Sequence, residues 1–404
     1  MSGEEKKPYM SFTPPALTMP SGLEGIRYDF NLGARVSVPE GSYRVRLIDR
    51  EAELCTYDTE CSGVVVSSTK RYFVNYRIEV LQVDEEKSTP GQKQFKLVFA
   101  HDYDARGKKV LIKFADAAVG DMLAWFPYAE EFRRKHGCRV YVAVSGRFRE
   151  IFEAGYPELE FIGEDVVPEG LYASYLVGLF DPWDDRNLQP CDWRVVGLQA
   201  HAAYLLGLTP EEIRPRLTPK PYKEKIAEPY VCIASQATAQ AKYWNNAGGW
   251  METIDYLKEK GYRVLCIDRD RTTVHGNFGN SIPYGAEDFT GDLPLQERID
   301  LLAGAEFFIG LPSGLSWLAW GTGIPVVMIA GFSAPGTEFF TPYRVQQFHS
   351  CHSCCNDARN EHKYGDFGAC PHHRRTDREF ECTRMITSGF VKKVIDRLLA
   401  DLKK

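Results

Sequence analysis

Between Tyr43 and Phe99, apolar and polar positions alternate in short runs. They read Tyr43-Arg-Val-Arg-Leu-Ile, Gly63-Val-Val-Val, Tyr72-Phe-Val-Asn-Tyr-Arg-Ile-Glu-Val and Phe95-Lys-Leu-Val-Phe, with turn clusters such as Ser88-Thr-Pro-Gly between them. A two-residue period places successive side chains on opposite faces of a strand. Residues 23–106 therefore read as an all-β domain behind a Pro- and Ser-rich arm at 1–22. At Lys109 the pattern changes. Val110-Leu-Ile-Lys-Phe is a buried strand, a Gly-containing loop follows, and Met122, Leu123, Phe126 and Phe132 line one face of a helix predicted to run to about Lys135. Further strands are predicted at Arg139-Val-Tyr-Val-Ala-Val, Leu159-Glu-Phe-Ile and Tyr172-Ala-Ser-Tyr-Leu-Val. Strand alternating with helix predicts a parallel, doubly wound sheet over 107–220.

The alternation restarts near Tyr230 and fills 221–348. Val231-Cys-Ile-Ala, Arg263-Val-Leu-Cys-Ile, Phe307-Phe-Ile and Pro325-Val-Val-Met-Ile read as strands. Trp250 to Lys260, Leu295 to Ala303 and Leu315 to Trp320 read as helices. The stretch Thr218-Pro-Lys-Pro-Tyr-Lys has the composition of an interdomain linker. The chain is thus α/β, with two Rossmann-like halves whose cleft lies at the carboxyl ends of both sheets. Phe390, Val391, Val394, Ile395, Leu398 and Leu402 have helical spacing, so 385–404 is an amphipathic helix that must pack on something.

Five of the eleven cysteines fall between Cys351 and Cys382. The segment is rich in His, Arg and Asp and poor in aliphatics, so it cannot bury its thiols in a core of its own. Cys351 and Cys354 can hold one ion from a tight turn, and Cys370 and Cys382 can close a four-thiolate site, making 349–384 a metal finger. Cys355 is an extra thiol, and spacing alone leaves Cys354 and Cys355 open as the second ligand. Four thiolates accept zinc as readily as iron. Met1 to Lys7 has no apolar run of a secretory signal, and no stretch reaches membrane-span length. The expectation is a cytoplasmic protein with no membrane span, whose clustered thiols bind metal rather than form disulfides. A net charge of −6 argues against a nucleic-acid partner.

Three loops carry candidate chemistry. Gly120 turns the chain sharply before Asp121, which stands at the start of a helix facing the cleft; an ordinary capping aspartate is the plain alternative. Ser235-Gln-Ala-Thr-Ala-Gln-Ala-Lys242-Tyr-Trp244 offers Ser235, Gln236, Thr238 and a lysine charge to phosphate oxygens. Gly310-Leu-Pro-Ser313-Gly314-Leu315-Ser316-Trp places a helix N-terminus where a diphosphate would sit. Arg298 is a possible second cation. Neither half opens on G-x-G-x-x-G, and no Walker loop occurs. One carboxylate facing a diphosphate cradle suits a nucleotide-sugar donor. Its leaving group needs charge balance, and its acceptor hydroxyl needs one base.

Ala241-Lys242-Tyr-Trp244 and Ser313-Gly-Leu-Ser-Trp resemble the donor site of bacterial ADP-heptose glycosyltransferases. Cys351-x-x-Cys354 through Cys370-Pro and Phe380-Glu-Cys382-Thr383-Arg384 resembles the iron finger of the autotransporter O-heptosyltransferases. The resemblance covers about residues 25 to 400. It implies a GT-B fold, ADP-heptose as donor, serine hydroxyls of an autotransporter adhesin passenger as acceptor, one iron per chain and a large homo-oligomer, a dodecamer in the family. By position, Asp121 resembles the catalytic base, Lys242 the diphosphate-neutralising lysine, Arg298 a donor contact, and Cys351, Cys354, Cys370 and Cys382 the iron ligands. Two alternatives are a lipopolysaccharide-core heptosyltransferase and a zinc-knuckle adaptor. The finger and β module count against the first, and the acidic charge and two complete nucleotide-fold halves against the second.

Overall fold

The computed structural model describes residues 12–115, 118–275, 278–360 and 369–404. Residues 1–11 of the expected arm, Ala117 of the first loop and 361–368 of the finger lie outside the described residues.

The first half is built on Lys109–Phe114, flanked by Arg139–Ala143 and Leu171–Val177, with Glu160–Ile162 at the edge, all parallel. This sheet does not stop there. Arg27–Asn31 pairs in parallel with Leu171–Val177, and Arg35–Val38 and Val64–Ser67 continue it antiparallel. The β-rich N-terminal part thus shares one eight-stranded sheet with the first half. Its remaining strands, Tyr43–Asp49, Leu54–Cys61, Tyr76–Val83 and Phe95–Asp102, form a four-stranded antiparallel sheet. Residues 12–20 dock on the same sheet: Arg35 reaches the Pro15 carbonyl at 2.8 Å and Arg27 the Leu17 carbonyl at 3.0 Å.

The predicted helix from Met122 to Lys135 is two helices, Val119–Trp125 and Pro127–His136. Pro127 has no N–H to give to the preceding turn, so the first helix ends at Phe126 and the second begins with proline at its first position. The helices Trp193–Val196 and Leu198–Leu205 have no counterpart among the expected elements.

The second half is a six-stranded parallel sheet in the order Glu287–Asp288, Arg263–Cys266, Tyr230–Ile233, Phe308–Gly310, Val326–Ala330, Arg344–Gln346. The C-terminal helix Ser388–Asp401 closes it. Val391, Val394, Ile395 and Leu398 pack with Ile254, Leu257, Val327 and Val345. Burying each such side chain is worth about 1.5–3 kcal/mol, which fixes this helix against its own half. Among the described residues no helix is long and apolar enough to cross a membrane.

Candidate functional site

Asp121 is the third residue of the helix Val119–Trp125, and Ala118 is its cap in extended conformation. The carboxylate draws on the Ala118 backbone N–H, as the acid of a capping box does. Asp121 is thus not the helix cap that the plain alternative made it but a first-turn acid, within electrostatic reach of Lys242. Burial pushes its carboxyl up to about 6, while the Lys242 ammonium and the Ala118 backbone pull it down. The group is charged at neutral pH yet basic enough to take a proton.

Lys242 ends a turn of 3-10 helix, Gln240–Lys242, after the strand Tyr230–Ile233. Its ammonium lies 6.0 Å from the centre of the Phe332 ring. The residues that follow are tied to the end of the finger. Trp244 Nε1 donates to the Ile386 carbonyl at 2.8 Å, and Asn245 Nδ2 to Thr383 Oγ1 at 2.9 Å. Upstream, Ser235 is buried and its N–H and hydroxyl both donate to the Asp268 carboxylate, at 2.9 and 3.0 Å. The Gln236 N–H joins them at 3.2 Å, and its side chain reaches the Asp270 carbonyl at 2.8 Å. Ser235 and Gln236 shape the loop, and Thr238 is the exposed member of the predicted set.

Ser313 stands at the cap of the helix Gly314–Thr322 without a side-chain hydrogen bond, and its carbonyl takes the Ser316 N–H at 3.1 Å. Leu315 is half-buried there. Ser316 departs from expectation: it is fully buried and its hydroxyl donates to the Leu311 carbonyl at 2.5 Å, closing the turn before the helix. Arg298 departs further. Its guanidinium donates to the carbonyls of Phe289 (2.6 Å), Gly291 (2.8 Å) and Asp268 (3.2 Å). It braces the loops after two strands, giving three of its five N–H groups to backbone carbonyls.

The finger folds back onto this loop cluster. The Ser353 N–H donates to the Gly331 carbonyl at 2.7 Å and the Cys355 N–H to that of Phe332 at 3.0 Å. A β-carbon on Gly331 would stand 3.0 Å from Cys382 Sγ, so only glycine admits that thiol. Cys351, Cys354 and Cys382 are each pushed up by burial and by neighbouring thiols of the set that includes Cys370. Cys355 has a different electrostatic neighbourhood. Burial pushes its thiol up to about 12, and the charges acting on it are Lys242, Glu338, Arg194 and Asp121. Cys354 feels the other thiols of the finger, Cys355 included, while the charges on Cys355 come from the two halves. Among the described residues, the buried cluster here holds, apart from cysteines, Ala241, Phe332 and Phe380, little apolar surface for a core. The four thiols are of the type that holds one ion, but among the described residues the ligand-type atoms gathered within 4.8 Å of one another are those of Cys351, His373 and Glu381. The Glu381 carboxylate, however, is held by Arg378 at 2.6 and 2.8 Å and by the Cys351 N–H at 2.8 Å.

The sequence reading passed over Asp268, Phe332 and Asn356. Asp268 carries a legible signal, an acid just past a strand end at the cleft. Phe332 and Asn356 carry none, because their roles depend on what the fold sets beside them.

Two nucleotide-fold halves meeting over a carboxylate and a lysine, beside a helix N-terminus, define a GT-B glycosyltransferase of the heptosyltransferase kind. Residues 197–366 match the family model described as glycosyltransferase family 9 (heptosyltransferase), and residues 22–84 that of the glycosyltransferase TibC N-terminal domain. The chain is 48% identical over 390 residues to autotransporter heptosyltransferase TibC of Escherichia coli O78:H11, covering 96% of this chain and 93% of TibC. It therefore belongs to the autotransporter heptosyltransferases. A crystal structure of dodecameric iron-containing heptosyltransferase TibC in complex with ADP-D-beta-D-heptose superimposes with a TM-score of 0.89 at 46% identity, covering 97% of this chain and 100% of that one. The family also includes the inactive autotransporter heptosyltransferase BimC of Burkholderia thailandensis, 39% identical over 95% of this chain and 88% of BimC. E. coli ADP-heptose LPS heptosyltransferase II, 13% identical with a TM-score of 0.50 over 73% of this chain and all of its own, shares the fold.

Proposed function

We propose that the protein is an inverting protein O-heptosyltransferase that moves heptose from ADP-heptose to serine hydroxyls of an autotransporter adhesin passenger, in the bacterial cytoplasm. The observation that carries this reading is the half-buried Asp121 carboxyl, raised to about 6 by desolvation and electrostatically coupled to Lys242 across the seam between the halves. A serine hydroxyl entering from the first half gives its proton to Asp121 as its oxygen bonds to the anomeric carbon. The bond from that carbon to the phosphate oxygen breaks on the opposite face, and its electron pair leaves with ADP. A single displacement inverts the centre. Lys242 and the N–H groups of the helix starting at Gly314 balance the charge that grows on the diphosphate. Cys351, Cys354, Cys370 and Cys382 hold one iron, which supplies folding energy rather than chemistry. A large homo-oligomer like that of TibC is part of the proposal.

Intact-mass spectrometry of an autotransporter passenger incubated with the protein and ADP-heptose tests the reading. A ladder of added heptose masses, absent with Asp121→Ala, is expected. Neither added mass nor ADP release would overturn it and set this chain beside its inactive relative.

A further inference from the structure

We infer that Asn356 is a positioning residue: it latches the two halves together at the closure that brings Asp121 opposite Lys242. Two nucleotide-fold halves joined by a linker are free to move unless something fixes them. Asn356 uses all of its amide to do so. Its Oδ1 accepts from the Ala334 N–H of the second half at 2.8 Å. Its Nδ2 donates to the Arg194 carbonyl of the first half at 2.6 Å and to Thr337 Oγ1 of the second at 2.8 Å.

The first half answers in kind. The Arg194 guanidinium is buried and squared against Asp192 at 2.7 Å. Its Nη1 donates to the finger carbonyls of Asn360 at 3.3 Å and Ala358 at 3.4 Å. The Leu198 N–H donates to the Thr337 carbonyl at 3.2 Å. A β-carbon on Gly197 would stand 2.1 Å from the Gly336 carbonyl oxygen, so the two backbones touch here. All of this adjoins Cys355, whose N–H holds the Phe332 carbonyl beneath Lys242. One short stretch of finger therefore grips the first half through Arg194 and the lysine loop through Phe332. The latch rests on the Asp121–Lys242 reading for its effect on catalysis, but its structural part stands apart from it.

Asn356→Asp tests it. The carboxylate keeps the acceptor for Ala334 and the shape of the side chain, but sets an acceptor against the Arg194 carbonyl. Without any donor present, hydrogen–deuterium exchange followed by mass spectrometry should speed up in 192–198 and 334–337 and stay unchanged in the helix Ser388–Asp401. Metal content should remain that of the parent. With ADP-heptose, kcat should fall about tenfold to a hundredfold, as small misplacements of reacting groups do, while the donor KM stays within about twofold. Unchanged exchange in those two segments overturns the latch whatever the activity does. Loss of metal from an otherwise protected chain also overturns it, since the side chain would then act through the folding of the finger. Should Asn356→Asp not fold, Arg194→Met removes the reciprocal bonds from the other side and is read by the same exchange pattern. Because exchange needs no substrate, failure of the latch and failure of the proposed reaction are separate outcomes.

Discussion

A β-carbon on Gly120 would stand 2.8 Å from Cδ1 of Trp317, closer than real side chains come. Trp317 cannot yield, because it is buried and wedged against Trp320 and Phe339 with ring centres 5.7 and 5.0 Å away. The helix Val119–Trp125, which carries Asp121, and the helix Gly314–Thr322 are therefore pressed together at this glycine. Gly120→Ala should cost about 1–3 kcal/mol of stability as overpacking does, and should lower transfer more than it raises the donor KM. Chemical denaturation and initial rates check both.

The acid limb of the rate profile should belong to Asp121. A general base works only when deprotonated, so kcat/KM should rise with pH through about 6 and level off above it. Lys242 lowers the Asp121 carboxyl, so removing its charge raises it. Lys242→Met should therefore cut the rate about 100- to 1000-fold and move the remaining acid limb to higher pH. Rates measured across the pH range for both proteins decide this. A limb that stays in place would separate the two residues.

The adjacent cysteines should behave differently. Cys354 interacts with Cys382, Cys355, Cys370 and Cys351, while the charges acting on Cys355 are Lys242, Glu338, Arg194 and Asp121. Cys354→Ser should lose the metal and precipitate or unfold. Cys355→Ser should keep the parent's metal content, measured by plasma emission spectrometry.

Arg298 should act on stability and on donor affinity together. Its three carbonyl partners belong to the loops at Asp268 and 289–291. Arg298→Met leaves those acceptors unpaired in a buried place, which costs roughly 2–3 kcal/mol. Equilibrium unfolding should show that loss, and the donor KM should rise as the loops relax.

What the sequence determined by itself is local. The two-residue alternation from Tyr43 predicted the strand Tyr43–Asp49, and the spacing of Leu295 to Ala303 the helix found there. The cluster of thiols announced a finger because so polar a segment has no other use for them. These features are written in neighbouring residues and need no partner to be read. Tertiary structure decided the rest. A strand at Arg27–Asn31 reads the same whether it pairs within its own module or with Leu171–Val177, because the period fixes a face and not a neighbour. Ser316 has the chemistry of a donor contact, yet the Leu311 carbonyl takes its hydrogen, and Arg298 turns three of its five N–H groups to loop carbonyls. Asn356 is an ordinary polar residue in the chain. Only the fold brings Arg194, Ala334 and Thr337 within reach of its single amide, and distance in space, not in sequence, gives it a role.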